Sequence, residues 1–410
     1  MNKTLLLDLD NTLLTNNADI FIPAYLQAVA NRMSSYTDPK FLIKTLLSAT
    51  NAMAQNQQPD LTLMDVFDAS FYPVLGLNKE KVQPDLDRFY AEDFPKLRRL
   101  TSPKPEAVRL VAQALDLGYR VGIATAPLFP LTAIQQRLGW AGLPVDRYNF
   151  SLVPSYSSFH FTKPNPAYFA EFLAQMGWPN DPVIMVGNEA EMDMAGARQL
   201  GIASFWIPSQ PNAAWSGPDP EPPRGSLADV LPWIESASAE ISKQNFNSPQ
   251  AILAVLRSTP AALQTLCRSL DGLNWSARPQ ENEWSLTEVL CHLRDVETEV
   301  FLPRFDKIIG EDNPFIIGIE TDPWADERHY IQQNGPQALV DFINSRKKLL
   351  SLLSPLPAED WQRPARHAIF GPTHLQELAS FTSEHDRLHI QQITQHLNKG
   401  ISADANDHRS

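Results

Sequence analysis

The chain has 410 residues, enough for two or three domains, and 43% of them are hydrophobic, which is ordinary for a globular protein. Its formal net charge of −13 argues against a dedicated nucleic-acid partner, and no apolar run is long enough to span a bilayer. The two cysteines, Cys267 and Cys291, both fall in the second half and offer no disulfide framework, and acidic Asp8 arrives too soon after Lys3 for a signal peptide, so a reduced cytoplasmic compartment is expected.

The first element is the run Thr4-Leu5-Leu6-Leu7, which passes into Asp8-Leu9-Asp10-Asn11-Thr12. An apolar run without alternation suits a central strand of a parallel sheet, buried on both faces. Its end puts two carboxylates at the carboxyl edge of such a sheet, where ligands of open α/β folds bind. A lone Asp-x-Asp is by itself an ordinary polar turn. These residues nevertheless resemble the first motif of the haloacid-dehalogenase-like hydrolases in their phosphatase form, and the resemblance implies Asp8 as nucleophile and Asp10 as general acid/base. The chemistry is consistent with the spacing: a carboxylate nucleophile divides a hard displacement into two steps, and a second carboxyl protonates the leaving oxygen and then deprotonates water. Residues i and i+2 of a strand point the same way, so both can face one phosphoryl group. The dehalogenase branch lacks an acid matching Asp10, which favours the phosphatase form.

Helical patterns follow at Ile20–Met33, Lys40–Met53, Leu61–Leu75 and Val82–Leu97 with no strong strand among them. Ordinary α/β helices would alternate with strands. In the resembling family such an insert is a cap that closes over the site and shapes substrate choice. The core resumes at Lys104-Pro105 with a helix over Glu106–Leu117 and a strand, Tyr119 to Ala124, that ends in Thr125; a helix over Leu131–Leu138 follows. A Thr after a strand is commonly a cap or turn residue, but its place in the series matches the family's second motif, which binds phosphate oxygen. Thr162-Lys163-Pro164-Asn165-Pro166 resembles the third, with Lys163 as a cation that offsets repulsion between phosphate and the aspartates. A lone loop lysine would otherwise be read as exposed. Val183-Ile184-Met185-Val186-Gly187-Asn188, with Asp193 five residues on, resembles the fourth. Here the sequence departs from the pattern, because Asn188 stands where an acid normally helps hold Mg²⁺. An amide oxygen can still ligate a hard cation but brings no charge, so the change bears on metal affinity and turnover. The metal set implied is Asp8, the Asp10 carbonyl and Asn188, with Asp193 supporting Lys163 or a metal-bound water. Ala195–Leu200 and the strand Ala203–Ile207 complete this core.

Pro208–Gly225 is a proline-rich loop, Ser226–Glu235 a last helix and Ser236–Asn247 the best linker. The expected domains are therefore 1–235, with core 1–15 and 100–235 around a helical cap of about 16–99, then a linker at 236–247 and a bundle at 248–400, followed by a polar tail at 401–410. Ser248-Pro249 opens a helix to about Leu270, interrupted in pattern by Pro260. Ser285-x-x-Glu288 is a capping box for a helix to about Ile309, and Pro336–Leu353 is a third. Thr373-x-x-Gln376 reads as a second capping box for a helix to Asn398, with Gly400 near its C-cap. Four helices in this length predict a bundle.

His385 and His389 are an i, i+4 pair on one helical face, and His292 sits on the second helix. Three imidazoles converging in a bundle would make a facial site for Zn²⁺, Ni²⁺ or Fe²⁺, whereas neighbours Glu384, Asp386 and Arg387 fit a solvated face equally well. The stretches Glu283–Leu293 and Glu384–Ile393 resemble the DinB-like metalloprotein superfamily, a four-helix bundle with a three-histidine divalent metal site whose members include thiol-dependent S-transferases. His292, His385 and His389 occupy its ligand positions; His367, His374 and His396 do not and are left structural. The fold expected is a capped, doubly wound α/β core followed by an all-α bundle. The expected activity is Mg²⁺-dependent hydrolysis of a small phosphorylated metabolite or nucleotide through an aspartyl-phosphate, with Asp8, Asp10, Thr125 and Lys163 as its residues. Two alternatives stay open: the bundle as the working enzyme, a metal-dependent thiol transferase or hydrolase beside an attenuated first domain, or the bundle as a non-catalytic metal-binding or assembly module. No membrane or nucleic-acid partner is expected, and a homodimer through the bundle is an open option.

Overall fold

In the computed structural model, which describes residues 2–210, 212–268 and 274–407, the N-terminal leucine run forms the middle of a parallel sheet. The chain divides into two units, Met1–Phe169 with Pro179–Gln244 and Ala170–Trp178 with Asn245–Ser410.

The first elements are β1 (Thr4–Leu7) and the short β2 (Leu14–Asn16). Four helices follow: α1 (Ala18–Arg32), α2 (Pro39–Ala54), α3 (Leu63–Leu75) and α4 (Lys79–Arg88). Each has a side-chain cap, from Asn17, Asp38, Thr62 and Asn78, which satisfies a backbone N–H that the first turn leaves unpaired. Gly76, at φ 63°, ends α3 in the left-handed conformation that glycine adopts without steric cost. The expected helix over Val82–Leu97 stops at Arg88 and gives way to π and 3-10 turns through Leu100. Pro95, lacking an N–H, cannot continue an α ladder.

The chain then forms β3 (Thr101–Pro103), antiparallel to β2, so the helical cap hangs on a two-stranded stem. Three-residue strands are too short to register as a hydrophobic period, which is why sequence reading missed the stem. There follow α5 (Pro105–Asp116), β4 (Arg120–Ile123), α6 (Leu131–Trp140), α7 (Pro166–Gln175), β5 (Val183–Gly187), α8 (Gly196–Gln199), β6 (Ala203–Trp206) and α9 (Val230–Ser236). The sheet order is β4-β1-β5-β6, all parallel, with Leu7 level with Ile123 on one side and Val186 on the other. All four residues of β1 are buried, as two-sided covering of a central strand requires.

The second unit contains α10 (Pro249–Arg268), α11 (Leu286–Val296), α12 (Leu302–Gly310), β7 (Phe315–Ile316), α13 (Trp324–Glu327), α14 (Gly335–Leu353), β8 (Pro364–His367), β9 (Gly371–His374) and α15 (Leu375–Asp407). The four long helices α10, α11, α14 and α15 pack as a bundle, α10 against α14 and α15, and α11 against the same pair. Pro260 does not interrupt α10; the expected end of that helix at Leu270 lies outside the described residues. The helix expected from Leu286 to Ile309 is divided by a π turn at Glu297–Phe301, a device that rotates one helical face relative to the next.

Thr373 is not a helix cap: it lies in β9, paired with β8, and its hydroxyl donates to Glu377 Oε2 at 2.6 Å. Gly400 does not end the last helix, whose backbone hydrogen bonding continues to Asp407. The Ser285 and Glu288 capping box is present. Among the described residues no helix is long and apolar enough to cross a membrane.

Candidate functional site

In the first unit, Asp8 follows the buried end of β1, and its backbone N–H donates to Val186 O at 2.9 Å. Its side chain is 8% exposed. Lys163 Nζ donates to Asp8 Oδ1 at 2.7 Å and to Asp193 Oδ1 at 2.5 Å, all three side chains being buried. The other Asp193 oxygen accepts from the Glu189 N–H at 2.9 Å. Both carboxylate oxygens of Asp193 are thus committed to protein donors, and its contact is with the lysine. Burial pushes the Asp8 carboxyl up to about 7, with Asp193 adding to the shift and Lys163 opposing it. Burial alone would lower the Lys163 ammonium, but the carboxylates of Asp193 and Asp8 outweigh it and hold the group charged.

Asp10 behaves differently. β1 ends at Leu7, and Asn11 turns the chain at φ 61°, so strand alternation does not carry Asp8 and Asp10 onto one line. The Asp10 carboxylate accepts from Asn16 Nδ2 at 2.8 Å and Arg137 Nη1 at 2.5 Å. Arg137 is buried on α6, its guanidinium 4.9 Å over the Phe129 ring, and its Nε and Nη2 have no hydrogen-bond partner. Sequence reading missed it. The available signal was its position on the buried stripe of α6 with Ala133, Ile134 and Leu138, where a charge needs a partner. Thr125, also buried, lies just past β4 at the same end of the sheet, and its carbonyl accepts from the Tyr168 hydroxyl at 2.8 Å.

Asn188 follows β5. One end of its amide lies 2.9 Å from the Asp10 carbonyl oxygen, 3.2 Å from Asp8 Oδ2 and 3.0 Å from Thr12 Oγ1. With the amide NH₂ in that position all three act as acceptors. With the amide oxygen there, Thr12 Oγ1 donates to it at 3.0 Å, and Asp8 Oδ2, the Asp10 carbonyl and Asn188 Oδ1 become three converging oxygens. Octahedral ligands at roughly 2.1 Å from Mg²⁺ are about 3 Å apart, so this donor set fits a small hard cation. The amide can therefore close the cluster by hydrogen bonds or open an all-oxygen face.

The second unit brings together the three histidines that the sequence singled out. His292 Nε2 is 3.1 Å from His385 Nε2, and His389 Nε2 is 3.2 Å from the same atom. His389 Nδ1 lies 3.0 Å from Gln392 Oε1. An amide oxygen can only accept, so it fixes the proton on Nδ1 and leaves Nε2 as a lone pair. Burial pushes His292 down to about 3, with His389 adding to the shift. Burial likewise lowers His385 and His389. Three neutral imidazoles with clustered Nε2 atoms suit a divalent transition metal. Trp284 is parallel to the His389 ring within 3°, and Phe301 meets His385 edge-on. His367 and His374 serve structure instead: their Nδ1 atoms accept backbone N–H groups of Ile369 and Glu377.

Beside the histidines is a charged cluster that sequence reading did not anticipate. Arg346 of α14 is fully buried and donates to both oxygens of Glu297, at 2.6 and 3.0 Å, to Asp386 Oδ1 at 3.0 Å, to Asp386 Oδ2, and to Leu256 O at 3.0 Å. Asp386 is next to His385 on α15, so the cluster anchors the turn that carries two of the three imidazoles.

Comparison with known proteins agrees with this division. Residues 2–201 match the family model of haloacid dehalogenase-like hydrolases, and residues 256–393 match that of the DinB superfamily. A phosphoserine phosphatase of Thermus thermophilus is 30% identical over 136 residues, 32% of this chain and 53% of that protein. The pyrimidine 5'-nucleotidase YjjG of Escherichia coli is 34% identical over 113 residues, 27% of this chain and 47% of that protein. The chain thus spans about half the length of the curated relatives it matches. Among solved structures, a HAD phosphatase from Thermococcus onnurineus has 20% identity and a TM-score of 0.39, covering 57% of this chain and 97% of its own. YfiT from Bacillus subtilis has 18% identity and a TM-score of 0.34, covering 37% of this chain and 86% of its own. Residues 2–201 are thus similar to the haloacid dehalogenase-like hydrolases and residues 256–393 to the DinB superfamily.

Proposed function

We propose that the first unit hydrolyses a small phosphate monoester, with Asp8 as nucleophile. The observation that carries this reading is the buried Asp8–Lys163–Asp193 cluster at the carboxyl end of the central strand. One Asp8 oxygen attacks phosphorus, the ester oxygen departs with a proton from Asp10, and an aspartyl-phosphate remains. Asp10 then removes a proton from water as that water attacks phosphorus, which regenerates the Asp8 carboxylate and releases inorganic phosphate. Lys163 and Thr125 hold the phosphate oxygens, and Asp193 keeps Lys163 oriented and charged. Mg²⁺ would be held by Asp8 Oδ2, the Asp10 carbonyl and Asn188 Oδ1, where it would screen charge on the phosphoryl oxygens. The curated relatives, a phosphoserine phosphatase and a pyrimidine nucleotidase, are consistent with a phosphomonoester as substrate.

The test is phosphate release from amino-acid, sugar and nucleotide phosphates, with Mg²⁺ and with chelator. Release that requires Mg²⁺ supports the reading, and none from any ester removes it. Asn188→Asp adds a charge to the oxygen face, so Mg²⁺ binding followed by calorimetry is expected to tighten about tenfold or more. An unchanged affinity would mean that Asn188 does not face the ion. Arg137 acts here as a positioning residue, because it shares the Asp10 carboxylate with Asn16. Arg137→Met is expected to lower kcat about 10- to 100-fold with a smaller change in KM, since a misplaced proton donor costs that order. A change confined to melting temperature would reduce Arg137 to a structural role.

A second reading concerns the bundle. The Nε2 atoms of His292, His385 and His389 favour a bound divalent transition metal, Zn²⁺, Ni²⁺ or Fe²⁺, with metal-dependent chemistry at the bundle. Metal analysis of the purified protein tests it: His385→Ala should lose the ion that the parent chain carries.

A further inference from the structure

The cap holds a cavity of about 520 Å³, a size typical of small-molecule sites. Its wall is built from Leu26, Leu46, Phe67, Phe71, Tyr90 and Phe129 among others. Among the described residues that line it, none is Lys, Arg or His, and Asp87 is the one carboxylate. Two further lining residues, Ile22 and Leu47, are apolar yet 37% and 49% exposed, so water reaches hydrocarbon there.

The cavity is linked to the chemistry through shared elements, although none of Asp8, Asp10, Thr125 and Lys163 lines it. Its floor includes Leu128, Phe129 and Pro130, on the same β4–α6 loop that carries Thr125. Phe129 lies under the Arg137 guanidinium that grips Asp10, and Gln136 beside Arg137 also lines the space. A leaving group bonded to a phosphoryl on Asp8 and protonated by Asp10 would extend toward this wall.

Resting on the phosphatase reading above, we infer that the cap cavity takes the apolar body of the substrate: a phosphate monoester whose leaving group is a hydrophobic alcohol without a second charge. A leaving group bearing an ammonium and carboxylate, such as serine, would set charges against ring faces and hydrocarbon, where desolvation opposes binding. A second phosphate or carboxylate would find no cation on the wall and would meet Asp87.

The experiment is a homologous series of n-alkyl phosphates, ethyl to hexyl, assayed with Mg²⁺. The leaving alcohol keeps nearly constant reactivity along this series, so any trend reads burial. Each methylene removed from water is worth about a three- to fourfold gain, so kcat/KM should rise on the order of 100-fold from ethyl to hexyl. Leu47→Asp, a change at a lining position that is 49% exposed, should reduce the hexyl-to-ethyl ratio about tenfold. Hydrolysis with a flat series, or a slope that Leu47→Asp leaves intact, overturns the inference while the phosphatase reading stands. If no ester is hydrolysed, the phosphatase reading falls, and calorimetric binding of the same phosphates still decides the cavity: affinity rising with chain length supports it and uniform affinity overturns it.

Discussion

Asp8→Asn is expected to abolish phosphate release, by on the order of 10⁴-fold or more, while the protein still folds and melts near the parent temperature. The amide is isosteric with the carboxylate but is no nucleophile, so no aspartyl-phosphate can form. Its effect on the cluster is also calculable in sign. Asp8 and Asp193 are two buried carboxylates around one buried ammonium, and burial with Asp193 raises Asp8 toward neutrality. Neutralising Asp8 removes one negative charge and leaves Lys163 paired with Asp193 at 2.5 Å. A one-to-one pair is easier to bury than a carboxylate excess, so stability is expected to hold or rise slightly. The measurement is phosphate release and thermal melting on the same preparations. Full loss of release without loss of folding identifies Asp8 as chemical; retained release above about 1% moves the reaction elsewhere in the chain. The chemical role of Asp10 makes a smaller demand, since general acid/base catalysis contributes about 10²- to 10⁴-fold.

Arg346→Met is expected to destabilise the second unit by about 3–5 kcal/mol. Arg346, Glu297 and Asp386 are all fully buried, and the guanidinium answers both carboxylates. Removing it strands two like charges in the bundle, one of them adjacent to His385. The expected readouts are a lowered unfolding midpoint and loss of any metal bound by His292, His385 and His389, because the turn of α15 holding two of these rings loses its anchor. Replacing all three charged residues with apolar ones of similar volume should restore much of the midpoint, since burying the cluster carries its own desolvation cost. A single variant that unfolds within about 1 kcal/mol of the parent would mean that water reaches the cluster.

Much of the architecture was legible in residue order. The leucine run, Thr125 after an apolar strand, Lys163 before a helix and Gly187-Asn188 after another strand each rest on local pattern. Local pattern is what a strand end or helix entry depends on. His385 and His389 were legible because a spacing of four residues puts two side chains on one helical face whatever the surroundings. The stem strands Leu14–Asn16 and Thr101–Pro103, and the pairing of Thr373, were not legible, since each depends on a partner segment rather than on its own period.

Residue order alone supplies the groups available for chemistry: two aspartates at a strand end, one lysine, one amide in place of an acid, and three imidazoles in the bundle. Tertiary structure decided how they are used. Arg137 reaches Asp10 across 127 residues, and Arg346 reaches Glu297 and Asp386 across 49 and 40. Both arginines sit where the helical period calls for an apolar side chain, α6 between Ile134 and Leu138 and α14 between Ile343 and Leu349. Sequence pattern can mark such a position as anomalous, but a buried charge is tolerable only beside its counter-charge. Which residue supplies that counter-charge is set by chain packing, and packing between distant segments leaves no trace in local order.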